Sequence, residues 1–141
     1  MTLNEILSAK GRDVYCVAPT ANLQNVVEQM VEHNCGSLMV LDDERLVGII
    51  SERDVLRVCT NPEADLAMRS VADHMTKQVV TAKPDDDVTD VMGLMSHHRI
   101  RHLPVQENGR VVGLISVGDI IKAQFDALNV ENHYLWSYLH G

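Results

Sequence analysis

The feature that most limits what this chain can fold into is a seven-residue step that occurs twice. Gly48-Ile49-Ile50-Ser51-Glu52-Arg53-Asp54 returns 65 residues later as Gly113-Leu114-Ile115-Ser116-Val117-Gly118-Asp119. Sliding the chain along itself by 65 residues lays Val14–Val55 on Val79–Ile120 without a gap, with 13 of 42 positions identical. Ordinary residue usage would give roughly two or three. Upstream the best offset becomes 68: Thr2-x-x-Glu5 pairs with Ser70-x-x-Asp73, and the first copy carries three extra residues near Ala9–Gly11. Two copies are too few for a solenoid, so the repeat predicts a pseudo-symmetric pair sharing one core.

Each copy reads the same way. Thr2-x-x-Glu5 is a capping box for a short helix, broken at Lys10-Gly11-Arg12. Val14–Val17 is a short β-rich run stopped by Pro19. Leu23, Val26, Val27, Met30 and Val31 follow helical spacing up to Asn34-Cys35-Gly36. Leu38–Leu41 and Leu46–Ile50 are strands around the turn Asp42-Asp43-Glu44-Arg45, and Ser51 caps a helix running to about Cys59. In the second copy Ser70–Met75 is helical, Val79–Ala82 a strand, and Val88, Val91, Met92 and Met95 a helical stripe. Leu103–Gln106 and Val111–Ile115 are strands around Glu107-Asn108-Gly109-Arg110. The expected architecture is mixed α+β (α/β): two pseudo-symmetric β-α-β-β-α units, each with a three-stranded sheet, packed sheet to sheet so that each covers the other's apolar face. The expected boundaries are 1–60 for the first unit, 61–69 for a linker, 70–125 for the second unit and 126–141 for a helical tail.

The stretch outside the repeat, Lys122–Gly141, holds Phe125, Tyr134, Trp136 and Tyr138, four of the five aromatic residues in the chain. Aromatic anchors are enriched at interfaces. Two readings stand: a subunit contact, which favours a homodimer, or a helix packed back on its own domain.

Composition removes several classes. At 141 residues with 45% apolar content the chain can bury a sizeable core. A net charge of −8 argues against nucleic acid or an anionic membrane as main partner. No apolar run approaches the ~20 residues that span a bilayer. The start lacks the basic and apolar regions of a signal peptide. Cys16, Cys35 and Cys59 lack CxxC spacing and read as reduced thiols of a cytoplasmic protein.

Three constellations are candidates for chemistry. The Ser-x-x-Asp pair is itself a helix-capping arrangement. It also opens a helix after a strand, where free N–H groups attract phosphate, a hydroxyl donates to phosphate and a carboxylate accepts from ribose hydroxyls. Gly48 and Gly113, three residues before each Ser, would let a ligand approach the strand closely. His97-His98-Arg99-Ile100-Arg101-His102 is the only dense basic cluster. Arg suits bidentate phosphate contact. A metal is the rival reading, weakened because Leu103 begins a strand, so His98 and His102 do not share a helix. His33 reads as a structural helix-end residue. No nucleophile elbow, P-loop or dinucleotide fingerprint is present, and Asp85-Asp86-Asp87 reads as capping.

On these motifs, together with Arg99-Ile100-Arg101-His102-Leu103-Pro104-Val105 and Ser70-Val71-Ala72-Asp73-His74-Met75-Thr76, residues 1–125 resemble a tandem pair of CBS domains (a Bateman module). The resemblance implies a regulatory module rather than an enzyme. It implies two clefts for adenosyl ligands such as AMP, ADP, ATP, NAD or S-adenosylmethionine, with no cofactor required. Carried over, Asp54 and Asp119 hold ribose hydroxyls, and Ser51 and Ser116 contact the α-phosphate. Arg101 and His102, supported by Arg99 or Arg53, neutralise phosphates. Backbone near Val14, Val79, Ser37 and His102 reads adenine, and Pro104 completes the binding set. The two clefts differ, because Arg53 becomes Gly118 in the second copy and Arg101-His102 is Gly36-Ser37 in the first. The resemblance also implies a homodimer and a protein partner that the sequence does not name. The alternatives are an interaction module in which Ser-x-x-Asp only caps helices, and a small metal or redox protein.

Overall fold

A computed structural model describes residues 1–140; Gly141, the last residue of the expected tail, lies outside the described residues. The first copy forms α1 (Leu3–Lys10), β1 (Cys16–Val17), α2 (Leu23–His33), β2 (Ser37–Asp42), β3 (Arg45–Ser51) and α3 (Glu52–Cys59). A 3-10 turn (Leu66–Met68) leads to α4 (Val71–His74), α5 (Val88–His98), β4 (His102–Glu107), β5 (Arg110–Ser116) and α6 (Val117–His140). The expected tail is thus continuous with the second unit's last helix. Among the described residues no helix is long and apolar enough to cross a membrane.

Local chemistry accounts for these elements. Thr2, Asn22, Ser51, Ser70 and Asp87 each accept a backbone N–H from the first turn of the helix they precede, satisfying donors that the helix itself cannot pair. α2 and α5 end at Asn34 and Arg99, 65 residues apart, both in the left-handed region (φ 50° and 55°). Both hairpins close through two residues with positive φ, Asp43-Glu44 and Asn108-Gly109, the backbone twist that matches paired strands. Both carry the same register shift, at Val40/Leu41 and Val105/Gln106.

The two sheets differ. β1 runs parallel to β2, giving the order β1-β2-β3, whereas the second unit has only β4-β5 and a single bridge from Ala82 to Val105. The expected strand Val79–Ala82 is therefore not formed, and β1 is shorter than Val14–Val17. The cause is one residue. In the first unit Met39 N donates to Tyr15 O at 3.0 Å. Its counterpart is Pro104, which has no N–H, so the ladder cannot extend toward Val80. What survives is Ala82 N to Pro104 O (3.0 Å) and Gln106 N to Ala82 O (2.8 Å).

The opening segments are exchanged between the units. Leu3, Ile6 and Leu7 of α1 are buried in one core with Val88, Val91, Met95, Leu103, Val105, Ile115 and Ile120 of the second copy. Val71 of α4 is buried with Leu23, Val26, Leu38, Val40 and Ile50 of the first. The backbone bonds repeat this symmetry. Leu3 N donates to Asp86 O (3.1 Å) and Asn4 N to Pro84 O (2.9 Å), while Val71 N donates to Ala21 O (2.8 Å) and Ala72 N to Pro19 O (3.0 Å). The sheets meet at β3 and β5, and each also receives a helix from the other unit.

The exchange corrects the expected role of the paired glycines. A Cβ on Gly113 would stand 2.6 Å from Leu7 Cδ2, and one on Gly48 would stand 2.5 Å from Met75 Sδ and 3.0 Å from Thr76 O. The space these glycines leave is filled by side chains of α1 and of the residues just after α4, not kept open for a ligand.

Candidate ligand-binding clefts

Strand pairing brings the predicted residues together at the ends of the hairpins. Ser37 lies opposite Ser51 and His102 opposite Ser116. Glu52 N donates to Gly36 O and Val117 N to Arg101 O, both at 3.0 Å, tying the start of α3 and α6 to the preceding strand. In each unit the serine, the aspartate and the Ser37 or His102 position thus converge on one strand-to-helix step.

Both steps are built alike. Ser51 N donates to Asp54 Oδ2 at 2.9 Å and Ser116 N to Asp119 Oδ2 at 2.9 Å; Asp54 N and Asp119 N return bonds to Ser51 Oγ (3.4 Å) and Ser116 Oγ (3.0 Å). The capping reading is therefore satisfied in full. It leaves each carboxylate one further oxygen, held in place by its own backbone. Asp54 is 8% exposed, and its Oδ1 has only the exposed Arg57 at 3.6 Å.

The second step has an extra member that sequence reasoning missed. Lys10, in the three-residue excess of the first copy, donates through Nζ to Asp119 Oδ2 (2.5 Å) and to Leu114 O (2.8 Å). α1 packs on the second unit, so its last turn delivers an ammonium group from one copy onto the aspartate of the other. The signal in the sequence was the insertion itself. Burial pushes the Asp119 carboxyl up, but the bond and charge of Lys10 and the Ser116 N–H outweigh it, and the group is held below the usual carboxylate range. Burial pushes the His102 imidazole down; Asp119 and Glu52 oppose this, Lys10 and Arg101 reinforce it, and the net shift is downward. His102 is therefore neutral at pH 7 in the ligand-free chain, a hydrogen-bonding group rather than a cation.

The first step carries a different set. The Glu52 carboxylate sits where a side chain on Gly36 would project. Ser37, only 4% exposed, has a buried hydroxyl without a hydrogen-bond partner. Arg53 is exposed, Val14 is half-buried just before β1, and Val79 is half-buried in the segment that leads to the Ala82 bridge. Pro104 is a buried strand residue opposite Leu114, and its clearest structural effect is the lost third strand. Arg99 and Arg101 line an open cavity of about 350 Å³ with Met92, Met95, Ile100 and Val117, adjoining the second step. A second cavity, about 290 Å³, lies at the turn of the β4–β5 hairpin, the end away from Ser116, around Lys83, Gln106 and Asn108, and includes none of the predicted residues.

The histidines do not assemble a metal centre. His98 ends α5, Arg99 turns the backbone, and His102 begins β4. Among the described residues no group of three His, Cys, Asp or Glu is placed to hold a metal. His33 stacks on Tyr15 at 3.8 Å, a structural role at the end of α2. The three cysteines are free.

Two exchanged α+β units, each with a hairpin that runs into a Ser-x-x-Asp step, define a duplicated module. The CBS domain model matches residues 5–61 and 71–126. The chain belongs to the CBS domain family, as a tandem pair. It is similar to the crystal structure of a CBS-domain-containing protein from Agrobacterium tumefaciens, at 35% identity and a TM-score of 0.83 over 88% of this chain and 99% of that one. It is 30% identical to the mitochondrial CBS domain-containing protein CBSX3 of Arabidopsis thaliana, over 99% of this chain and 72% of that protein. It is 25% identical to the CBS domain pair of protein MJ0100, solved in complex with 5′-methylthioadenosine and S-adenosyl-L-methionine (TM-score 0.77, over 87% of this chain and 98% of that one).

Proposed function

We propose that this chain is a regulatory module, not an enzyme, that binds adenosine-containing ligands in its two clefts and signals through a change of shape or assembly. The observation that carries the reading is the Ser37 hydroxyl: buried, unpartnered and across the hairpin from Ser51. Capping explains Ser51 and Asp54 but gives Ser37 nothing to do. An unmet buried hydroxyl costs about 1–3 kcal/mol, which a ligand would offset. The complex of the MJ0100 pair with two adenosyl compounds supports the ligand class. The working division is residues 1–60 and 70–125 for the two units, 61–69 for the linker and 126–141 for the tail, with cytoplasm as the compartment.

The two clefts suit different ligands. Lys10 bonds Asp119 and, with Arg101, acts on His102, whereas the Glu52 carboxylate projects beside Gly36 and Asp54 bonds Ser51, across the hairpin from Ser37. The second cleft therefore favours phosphorylated nucleotides such as AMP, ADP, ATP or NAD. The first favours uncharged or cationic adenosyl compounds, among them S-adenosylmethionine. Ser51, Asp54, Ser116 and Asp119 hold the sugar and its first substituent, Arg99, Arg101 and His102 face phosphate with Arg53 in support, and backbone near Val14, Val79, Ser37 and Pro104 reads the base.

A thermal-shift panel of AMP, ADP, ATP, NAD and S-adenosylmethionine tests this on nucleotide-free protein. At ~100 times Kd a ligand adds about 2.7 kcal/mol, so the melting temperature rises by roughly 5–10 °C. A flat panel rejects the reading and leaves the interaction module, which the complete capping boxes would then fully explain.

A pH dependence follows from His102. Its free-state pKa is depressed, and a phosphate placed beside it raises that pKa, so the complex holds more proton than the free chain. AMP affinity should then increase as pH falls from 8 toward 6. Calorimetry in two buffers of different ionisation enthalpy should show proton uptake that His102→Gln reduces. Equal uptake in parent and variant, assignable to the phosphate alone, would remove His102 from the site.

A further inference from the structure

α6 has 24 residues, close to 36 Å at the helical rise. Only its first two turns rest on the body, through Val117, Ile120 and Ala123. Every residue from Gln124 to His140 is exposed. Helices in proteins draw most of their stability from packing an apolar face, and this stretch packs its face on nothing in its own chain. Its apolar residues are ordered: Ile121, Phe125, Leu128, Asn132, Leu135 and Leu139 are spaced 4, 3, 4, 3, 4, the a/d repeat of a coiled-coil seam, with Phe125, Asn132 and Leu139 at a and Ile121, Leu128 and Leu135 at d. All five apolar members are exposed. Ile120 and Ala123 fall at positions c and f, on the side of the helix turned away from the seam. The seam therefore faces away from the chain's own body, which disfavours packing back onto it.

We infer that α6 forms a parallel two-stranded coiled coil with a second copy of this chain along Ile121–Leu139. Asn132 selects the occupant and the direction. In a parallel pair it meets Asn132 of the partner subunit, and the two amides satisfy each other; a lone Asn at an a position is a known device for fixing register and strand number. In an antiparallel pair it would face Leu128 of the partner subunit, leaving the amide unmatched, and Glu131 would lie beside Glu131 of the partner subunit. The parallel flanks instead set Gln124 beside Asn129 of the partner subunit and Glu131 beside Trp136 of the partner subunit, with no like charges opposed. Phe125, Trp136 and Tyr138, respectively 62%, 64% and 87% exposed, would supply roughly half of the ~800 Å² per partner of a standard interface.

Sedimentation velocity on the full chain at tens of micromolar tests this. The parent should sediment at twice the chain mass, and the double variant Leu128→Glu/Leu135→Glu at the chain mass. Both leucines are exposed, so a retained cooperative melting transition of the body confirms that the variant is folded. Asn132→Leu should broaden the distribution to trimers and tetramers. Asn132→Cys in a Cys59→Ser background should cross-link on oxidation in high yield, as a parallel in-register pair requires. A monomeric parent overturns the proposal. So does a double variant that stays dimeric, which would place the contact on the body, and so does an Asn132→Cys dimer that fails to cross-link.

Discussion

Leu7→Ala should lower the unfolding free energy by about 2–5 kcal/mol, the range for removing a buried leucine, and the melting temperature by on the order of 10 °C. Read along the sequence, Leu7 belongs to the first unit, in a short helix that a broken Lys-Gly-Arg segment detaches from the rest. In the fold it is fully buried in the second unit's core, with its methyls over Gly113. The same geometry makes Gly113→Ala costly, at about 1–3 kcal/mol, because a closely packed leucine cannot yield to an added methyl without strain. The two costs are coupled. Once Leu7 is alanine, the methyl on Gly113 has room, so the double variant should be less damaged than the sum by about 0.5–3 kcal/mol, the usual coupling of residues in contact. Leu56, exposed on α3, is the control, and its alanine variant should change stability by less than about 0.5 kcal/mol. Denaturant melts of the four variants decide the matter. Additive single effects would mean that α1 does not sit on the second unit in solution.

The second large effect concerns Asp119. Asp119→Ala should weaken binding in the cleft proposed to select phosphorylated ligands by about 10–100-fold, the loss expected when a hydrogen-bonding carboxylate is removed. The stability change should stay near 1 kcal/mol, the worth of a cap. Asp54→Ala should act on the other cleft, so a phosphorylated ligand and S-adenosylmethionine should report the two variants unequally. Lys10 separates cap from site. Lys10→Met removes the ammonium but leaves the Ser116–Asp119 cap intact, so a change in AMP affinity with little change in melting temperature assigns it to the cleft. If instead Asp119→Ala lowers stability and leaves every affinity untouched, the step is a helix cap and nothing more.

Much of the fold was legible because its signals are local. Caps, helical stripes and two-residue turns depend on residues within a few positions of one another, and the repeat reported each of them twice. The exchange of α1 and α4 was not legible, because a 3.6-residue period shows which face of a helix is buried but not in which core. The change of offset from 65 to 68 marked the place where the chain crosses over without saying where it went. The third strand of the second sheet was lost to a single missing N–H at Pro104, a residue that reads as an ordinary part of a β run. The glycines were assigned to a ligand because the sequence could not show Leu7 and Met75 arriving from the other unit. Each serine and the aspartate three residues on form the cap that the Ser-x-x-Asp spacing spells out. Lys10 and Glu52, which make the two clefts unlike, entered from a broken helix and a capping turn, positions where charged residues ordinarily signify only solvent.

The most direct test is calorimetric titration of nucleotide-free chain with AMP and, separately, with S-adenosylmethionine, in parallel with the Asp54→Ala/Asp119→Ala double variant. The account predicts saturable binding of at least one of the two by the parent, stronger at one cleft than the other, and its loss in a double variant that still melts cooperatively. No saturable heat from either compound with the parent, or unchanged binding by the double variant, would contradict it.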